Sequence, residues 1–340
     1  MNLDEARVGY HPKRVADWRA GNIIGPIYVE LSPTNVCNHK CTFCAYRHLK
    51  APKQEWSLER AMQVGGELAR AGVKAVMIAG EGEPCLYPHM KVLVTFLHHA
   101  GIKVAITTNG SQDMTEYAEY CDWIRISFNG STAEEYKAMH GVDGFDIALQ
   151  NTMNICGLTK TQMQMVYVGQ DIGNMNKLIR TVGKAGVRTF QIKQYNAMAA
   201  QDDHPTVQPL TTEQVRQLRG EWFSNGIYTR VEGLPEVIVR SGLAAGCERP
   251  YKACYALDFQ CEILSNYDIN GCQVMKGTED YRWGNIESMP FDEAWHSSAS
   301  KRRQTILTSP RKGCMDRCRP HQNNEWLWRL QKDGGWDDFI

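Results

Sequence analysis

From Pro26 the chain alternates short apolar runs with longer amphipathic stretches. PIYVEL (26–31), VKAVMIAG (73–80), IKVAITTNG (102–110), WIRISFNG (123–130), MQMVYV (163–168) and RTFQIKQY (188–195) predict six strands. Between them, 57–71, 88–100, 113–121, 131–139, 145–157 and 174–185 predict helices, the first with Ser57 as N-cap and Gly72 as stop. Strands separated by helices imply parallel βαβ units with right-handed crossovers. Six such units predict an α/β fold, a partial (β/α)6 TIM-type barrel, whose chemistry sits at the C-terminal ends of the strands. At those ends lie Cys37 to Cys44, Gly80 to Pro84, Asn109 and Asn129.

The alternation stops near residue 197, where QDDHPTVQP (201–209) predicts a linker and 211–225 a helix. From 247 a small cysteine-rich α+β module is predicted, with a hairpin-like stretch at 259–275 turning at Asn270-Gly271 and a helix near 291–303. The expected organisation is an extension (1–26), the barrel (27–197), linker and helix (198–246) and the module (247–340). Tandem repeats and low-complexity tracts are not evident.

Composition narrows the chemistry. Lysine plus arginine equal aspartate plus glutamate at 38 each, so the formal charge of zero gives no global case for nucleic acid or an anionic membrane. No apolar run approaches the ~20 residues of a membrane helix, and MNLDEARVGYHPKR carries no apolar signal core, so a cytoplasmic protein is expected. Twelve cysteines in such a protein point to metal rather than disulfides. Three crowd at 37, 41 and 44, and six lie between 247 and 318.

Cys37-x3-Cys41-x2-Cys44 puts three thiols on one loop. Three ligands suit a four-iron cluster with one open iron. Zinc would close with a fourth ligand, for which His39 and His48 are near enough. The spacing resembles the signature of the radical S-adenosylmethionine (SAM) superfamily. So do Phe43 before the third cysteine, Gly82-Glu83-Pro84, Thr107-Thr108-Asn109-Gly110 and Ser127-Phe128-Asn129, in the family's order over residues 26–195. The resemblance implies a [4Fe-4S] cluster on Cys37, Cys41 and Cys44, with SAM chelated to its open iron. It also implies SAM contacts from Phe43, Gly82, Glu83, Pro84, Asn109, Ser127 and Asn129, with Gly82 leaving backbone groups approachable. Ser127 could instead merely cap a strand end.

Cys254-x17-Cys272 and Cys314-x3-Cys318 supply four further thiols, enough to saturate a second four-iron cluster or a zinc ion. With Gly271, Gly284-Asn285-Ile286 and Glu293-Ala294-Trp295, this half resembles the twitch module, the short form of the SPASM module, as found in dehydrogenases of the 2-deoxy-scyllo-inosamine type. The last pair departs from that pattern in its x3 spacing, and the linker is longer.

Cys261 and Cys247 could each be a ligand, a packed thiol or a hydrogen donor, while Cys85, Cys121 and Cys156 are assigned to packing. Lys193 and Gln191 alternate on the sixth strand, where Lys193 could meet substrate or a salt-bridge partner. Tyr167, Tyr195, Glu232 and Arg240 are weaker candidates. Lys301, Arg302, Arg303, Arg311, Lys312, Arg317 and Arg319 make a basic tract, taken as a solvated face, and His321 is expected outside any ligand set.

The resemblance implies a radical SAM oxidoreductase acting on a small molecule, with flavodoxin or ferredoxin as electron donor. The favoured reaction oxidises an alcohol of a sugar, aminocyclitol or nucleotide-linked sugar, with the second cluster accepting an electron. The alternatives are an epimerase with a cysteine hydrogen donor, a peptide maturase, and a zinc-stabilised binding protein. About 26 residues before the first strand, and fewer than the usual seven cysteines in the module, argue against the maturase.

Overall fold

The structure is a computed structural model that describes residues 6–44, 46, 51–194, 210–224, 227–230, 235–240, 249–310, 314 and 318–332. Six parallel strands in sequential order form the barrel sheet: β1 (Tyr28–Leu31), β2 (Ala75–Ile78), β3 (Lys103–Thr108), β4 (Trp123–Ser127), β5 (Lys160–Tyr167) and β6 (Thr189–Gln194). The predicted partial TIM-type barrel is thus observed. Its helices are α1 (Pro12–Arg19), α2 (Leu58–Arg70), α3 (Met90–His99), α4 (Ala133–His140), α5 (Phe145–Asn154) and α6 (Ile172–Ala185). Ser57 caps α2 as expected, its side chain accepting from the Arg60 N–H at 3.1 Å. The helix expected at 113–121 is only a short 3-10 turn, Ala118–Tyr120. Asp113 and Thr115 instead make local side-chain bonds that compete with helix.

After the barrel come α7 (Thr212–Arg219), a hairpin of β7 (Glu221–Ser224) and β8 (Ile227–Arg230), and β9 (Glu236–Arg240). β9 lies parallel to β6 and extends the sheet. On the opposite edge, β10 (Gln260–Ile263) pairs parallel with β1, followed by antiparallel β11 (Asp268–Asn270) and β12 (Arg282–Asn285). One ten-stranded sheet therefore runs through both halves of the chain. The expected boundaries at 197 and 246 lie outside the described residues.

The hairpin turn falls at Leu264–Tyr267, not at Asn270-Gly271, with Tyr267 at φ 65°. Asn270 belongs to β11, and a Cβ at residue 271 would lie 2.2 Å from the Trp283 ring, so close approach explains that glycine. The helix expected at 291–303 is two, α8 (Phe291–Ser297) and α9 (Ala299–Leu307). α10 (His321–Lys332) follows.

Alternation assigns the two faces of the sheet. Val29, Leu31, Val76, Ile78, Val104, Ile106, Ile124, Ile126, Met163, Met165, Phe190 and Ile192 are buried on the outer face under the helices. The inner face carries Glu30, Met77, Ala105, Thr107, Arg125, Ser127, Gln162, Gln164, Gln191 and Lys193, in register from strand to strand. TIM barrels usually fill this interior with branched apolar side chains. Here the inner face, the lumen, is mostly polar instead. No helix among the described residues is long and apolar enough to cross a membrane.

Candidate metal and cofactor site

The cysteine loop leaves the C-terminal end of β1 and is closed at its neck. The Asn35 N–H donates to Gln54 O (3.2 Å), Asn35 Nδ2 to Pro52 O (2.7 Å) and the Trp56 N–H to Pro33 O (2.9 Å). On one side the Glu83 N–H donates to Val36 O at 2.8 Å. On the other, the Lys40 and Thr42 N–H groups donate to His140 O and Met139 O, each at 3.0 Å. Cys37 is exposed and Cys41 and Cys44 are half-buried.

Two of the thiols, Cys41 and Cys37, are raised. Burial, then the neighbouring Cys44 and Cys37, pushes the Cys41 thiol up to about 12. Burial also raises Cys37, with Glu83 and Cys44 adding to it, while the His39 and Asn38 N–H groups act the other way. Such thiols become thiolates on binding a metal, which fits a soft, thiolate-held group.

His140, which sequence reasoning passed over, belongs to this site. Its Nδ1 lies 3.4 Å from Cys41 Sγ and 3.2 Å from His39 Nδ1, and ligand atoms of all three residues fall within 4.8 Å. Its position at the end of α4, just before Gly141, was the available signal. That trio invites a zinc reading. However, His140 Nε2 accepts from the Asn129 backbone N–H at 3.1 Å. The proton of the neutral ring is therefore on Nδ1, which cannot then ligate a metal. His48, the other histidine considered for zinc, lies outside the described residues.

Two of the residues expected at SAM, Glu83 and Asn129, have several partners within the protein. The Glu83 carboxylate is buried and accepts from Thr108 Oγ1 (2.5 Å) and from the Asn109 (2.6 Å) and Cys85 (3.0 Å) N–H groups. Asn129 is fully buried, its Oδ1 accepting from the Val166 N–H at 2.7 Å and its Nδ2 lying 3.2 Å from His140 Nε2. Both hold strand ends in place. A Cβ at Gly82 would lie 2.4 Å from Val36 O and 2.5 Å from the Asn35 carbonyl carbon, so the close approach of the cysteine loop explains that glycine.

Pro84 starts a short 3-10 turn and is buried. Asn109 Nδ2 donates to Asn38 Oδ1 at 2.9 Å, tying β3 to the loop. The Phe43 ring packs edge-on to His140 at 5.7 Å.

Ser127 and Lys193 face the lumen and are joined by Gln164. Gln164 Nε2 donates to Ser127 Oγ (2.8 Å) and Lys193 Nζ donates to Gln164 Oε1 (2.7 Å). Arg125 Nη2 and Nε donate to Gln162 Oε1 at 2.7 and 3.0 Å. β10 continues this lining with Glu262, which pairs in register with Glu30. Lys276 Nζ lies 3.3 Å from Glu262 Oε2 and 4.2 Å from the Tyr46 ring centre. Glu30 is held by Arg319, Gln273 and Tyr28. Among the described residues, two buried acceptors on this face, Gln191 Oε1 and Glu262 Oε1, find no hydrogen-bond partner.

Cys261 is on the other face. It is 2% exposed within the apolar core, which fits the packed thiol among the three roles weighed for it. Tyr167 is also buried on the outer face. Tyr195, Glu232 and Cys247 lie outside the described residues, and Arg240 is described only by its backbone, paired with Lys193.

Cys318, Cys272 and Cys314 lie near enough to Cys254 for their charges to act on it. Burial raises the Cys254 thiol well above its ordinary value, reinforced by Cys318, Cys272 and Cys314 in turn. Burial pushes Cys272 up to about 12, with Cys318 contributing. Burial raises Cys318, against which Arg249 acts through its charge and a side-chain hydrogen bond. His321 Nδ1 lies 2.8 Å from Tyr251 Oη, and its backbone N–H donates to Cys318 O at 3.0 Å. Cys121 and Cys156 bond helical carbonyls, consistent with packing.

The basic tract is not one solvated face. Arg302 is buried, 3.9 Å over the Trp295 ring, and Arg319 reaches Glu30. Arg311, Lys312 and Arg317 lie outside the described residues.

The sequence profile of the Radical SAM superfamily matches residues 31–182. Over 222 residues the chain is 29% identical to the mycofactocin maturase MftC of Mycolicibacterium smegmatis, covering 61% of this chain and 54% of the maturase. Over 180 residues it is 27% identical to the GTP 3',8-cyclase of Pectobacterium atrosepticum, covering 48% of this chain and 50% of the cyclase. The chain thus spans about half the length of these curated relatives. Among solved structures, SuiB of Streptococcus suis bound to its precursor peptide SuiA gives a TM-score of 0.66 at 17% identity, covering 96% of this chain and 78% of SuiB. The S-adenosylmethionine-bound form gives 0.64, covering 87% and 72%. These structural likenesses concern the fold. The profile and the curated relatives together support a radical SAM enzyme, a family that implies a [4Fe-4S] cluster and SAM.

Proposed function

We propose that this chain is a radical SAM oxidoreductase that oxidises an alcohol of a small polar substrate, a sugar, aminocyclitol or nucleotide-linked sugar. Cys37, Cys41 and Cys44 hold the [4Fe-4S] cluster that takes SAM. Cys254, Cys272, Cys314 and Cys318 hold a second [4Fe-4S] cluster in a twitch/SPASM-like module. When bound and reduced by flavodoxin or ferredoxin, the first cluster and SAM supply the 5'-deoxyadenosyl radical that removes a substrate hydrogen. The chain's own residues shape and shield the place where this happens. Phe43, Gly82, Pro84 and Asn109 frame the cofactor, while Glu83 and Asn129 fix the loops that carry it. Ser127 faces the lumen beside them.

The polar lumen carries the choice of substrate. Gln191 Oε1 and Glu262 Oε1 are buried acceptors with no partner among the described residues, and such groups are costly unless a ligand or water satisfies them. Hydroxyl or amino donors of a polyol match them. Lys193 orients the substrate alongside Gln164. For the epimerase reading, Cys247 is the remaining candidate donor beside Cys261, which packs in the apolar core.

A second reading, peptide maturation, is favoured by the similarity to the mycofactocin maturase. One experiment separates the readings. Anaerobically purified protein should contain about eight irons, and a Cys37/Cys41/Cys44→Ala variant about four. The reduced enzyme is then incubated with SAM and either sugars and aminocyclitols or candidate peptides. Substrate-dependent 5'-deoxyadenosine with a polyol, and a ketone product, supports the proposal. Release with peptides alone would put maturation in its place. About four irons falling to none would remove the second cluster and its role as electron acceptor.

A further inference from the structure

We propose that His140 is a positioning residue for the first cluster, donating a hydrogen bond from Nδ1–H to the Cys41 sulfur and raising the cluster's reduction potential. The inference rests on the reading of Cys37, Cys41 and Cys44 as cluster ligands.

The direction of the bond follows from the far side of the ring. The Asn129 backbone N–H can only donate, and it points at His140 Nε2 from 3.1 Å. Nε2 must offer its lone pair, so the ring is neutral and its one proton is on Nδ1. That N–H has two acceptors in reach, Cys41 Sγ at 3.4 Å and His39 Nδ1 at 3.2 Å. A ligating thiolate carries negative charge and His39 Nδ1 does not, so the sulfur is the stronger acceptor once the cluster is bound.

The ring is also clamped. It is 1% exposed, stacks on Tyr136 at 4.0 Å and 18°, and meets Phe43 edge-on at 5.7 Å. Asn129 Oδ1 in turn holds the Val166 N–H, so the chain Val166–Asn129–His140–Cys41 links β5 to the cysteine loop. A donor aimed at a cluster sulfur stabilises the reduced form, which carries one more negative charge. The cluster then accepts its single electron more readily from reduced flavodoxin or ferredoxin.

The test compares wild type with His140→Phe, which keeps an aromatic ring but no donor, and His140→Asn, which returns an N–H near the Nδ1 position. Each is titrated anaerobically, following by EPR the reduced signal that SAM perturbs. In His140→Phe with wild-type iron content, the reduced fraction at a fixed flavodoxin poise should fall about fivefold, the equilibrium factor of one net hydrogen bond. His140→Asn should recover part of it. An unchanged midpoint in an iron-loaded His140→Phe would overturn the proposal and leave His140 a packing residue.

Wild type labelled with 15N-histidine gives a measurement independent of how the variants fold. A weak nitrogen coupling to the reduced cluster is expected, and its absence would overturn the proposal equally. Failure of the underlying reading looks different: iron content would then be the same in wild type and in the Cys37/Cys41/Cys44→Ala variant.

Discussion

Two glycines show how differently a single methyl group is received in this chain. At Gly82 the added Cβ would meet backbone, Val36 O at 2.4 Å and the Asn35 carbonyl carbon at 2.5 Å, and backbone cannot swing aside. Gly82→Ala should destabilise the protein by ~1–3 kcal/mol through overpacking and reduce iron incorporation. At Gly66, inside α2, the Cβ would meet the end of the Arg70 side chain at 3.4 Å and Phe96 Cζ at 4.0 Å, both ordinary contacts. Gly66→Ala should stabilise by ~0.5–1 kcal/mol, because alanine is the better helix residue. Urea midpoints of the two variants test the opposite signs, and iron analysis tests the site. Glu83→Gln replaces one acceptor by a donor facing an N–H group, and should cost ~1–3 kcal/mol by the same measurement. The GEGEP motif and its position were legible in the sequence, but its use was not. Sequence placed Glu83 and Asn129 near the site, while only coordinates show their polar atoms engaged by Thr108, Asn109, Val166 and His140.

At the scale of elements, all six barrel strands lie within about three residues of where apolar runs predicted them, because each buries one face under helices. What the pattern hid was long-range pairing. β10 looked like part of a local hairpin, yet its parallel partner is β1, some 230 residues earlier. Nothing local encodes that choice. It brings Glu262 beside Glu30 and sends Cys261 to the core face, since neighbouring residues in a strand point to opposite sides. It also sets Lys276, from the segment after Cys272, against Glu262, with side chains 4% and 6% exposed. Removing one partner of so buried a pair leaves the other uncompensated. Lys276→Met should therefore cost ~3–5 kcal/mol, and Lys276→Met with Glu262→Leu much less than the sum of the single changes. A double-mutant cycle in urea measures the coupling, and additive losses would show that the two charges act independently.

The whole molecule is tied together by more than the sheet. Trp56, at the neck of the cysteine loop, donates from Nε1 to Leu264 O at 3.2 Å and stacks on Tyr267 at 5.4 Å. Trp295 of α8 donates to Ile24 O at 2.7 Å, ahead of β1. Arg60 of α2 reaches Ile286 O and Met289 O, and pairs with Glu67, whose other oxygen accepts from the Phe291 N–H at 2.8 Å. These bonds are largely buried and cross between the first and last parts of the chain. Loss of the later part would expose the edge of β1 and leave the Arg60–Glu67 pair without its neighbours. The metal-free protein should accordingly unfold in one transition, with tryptophan fluorescence and far-ultraviolet circular dichroism coincident in urea. Arg60→Ala should lower the common midpoint, by ~2–4 kcal/mol for a half-buried network that loses its donor, without splitting it. Two separated transitions in wild type would instead mean that the cysteine-rich part folds as an independent module, as the sequence organisation by itself suggests. In that case its four thiols would be assembled by local folding and metal, and not by the continuous sheet that holds Glu262 in the lumen.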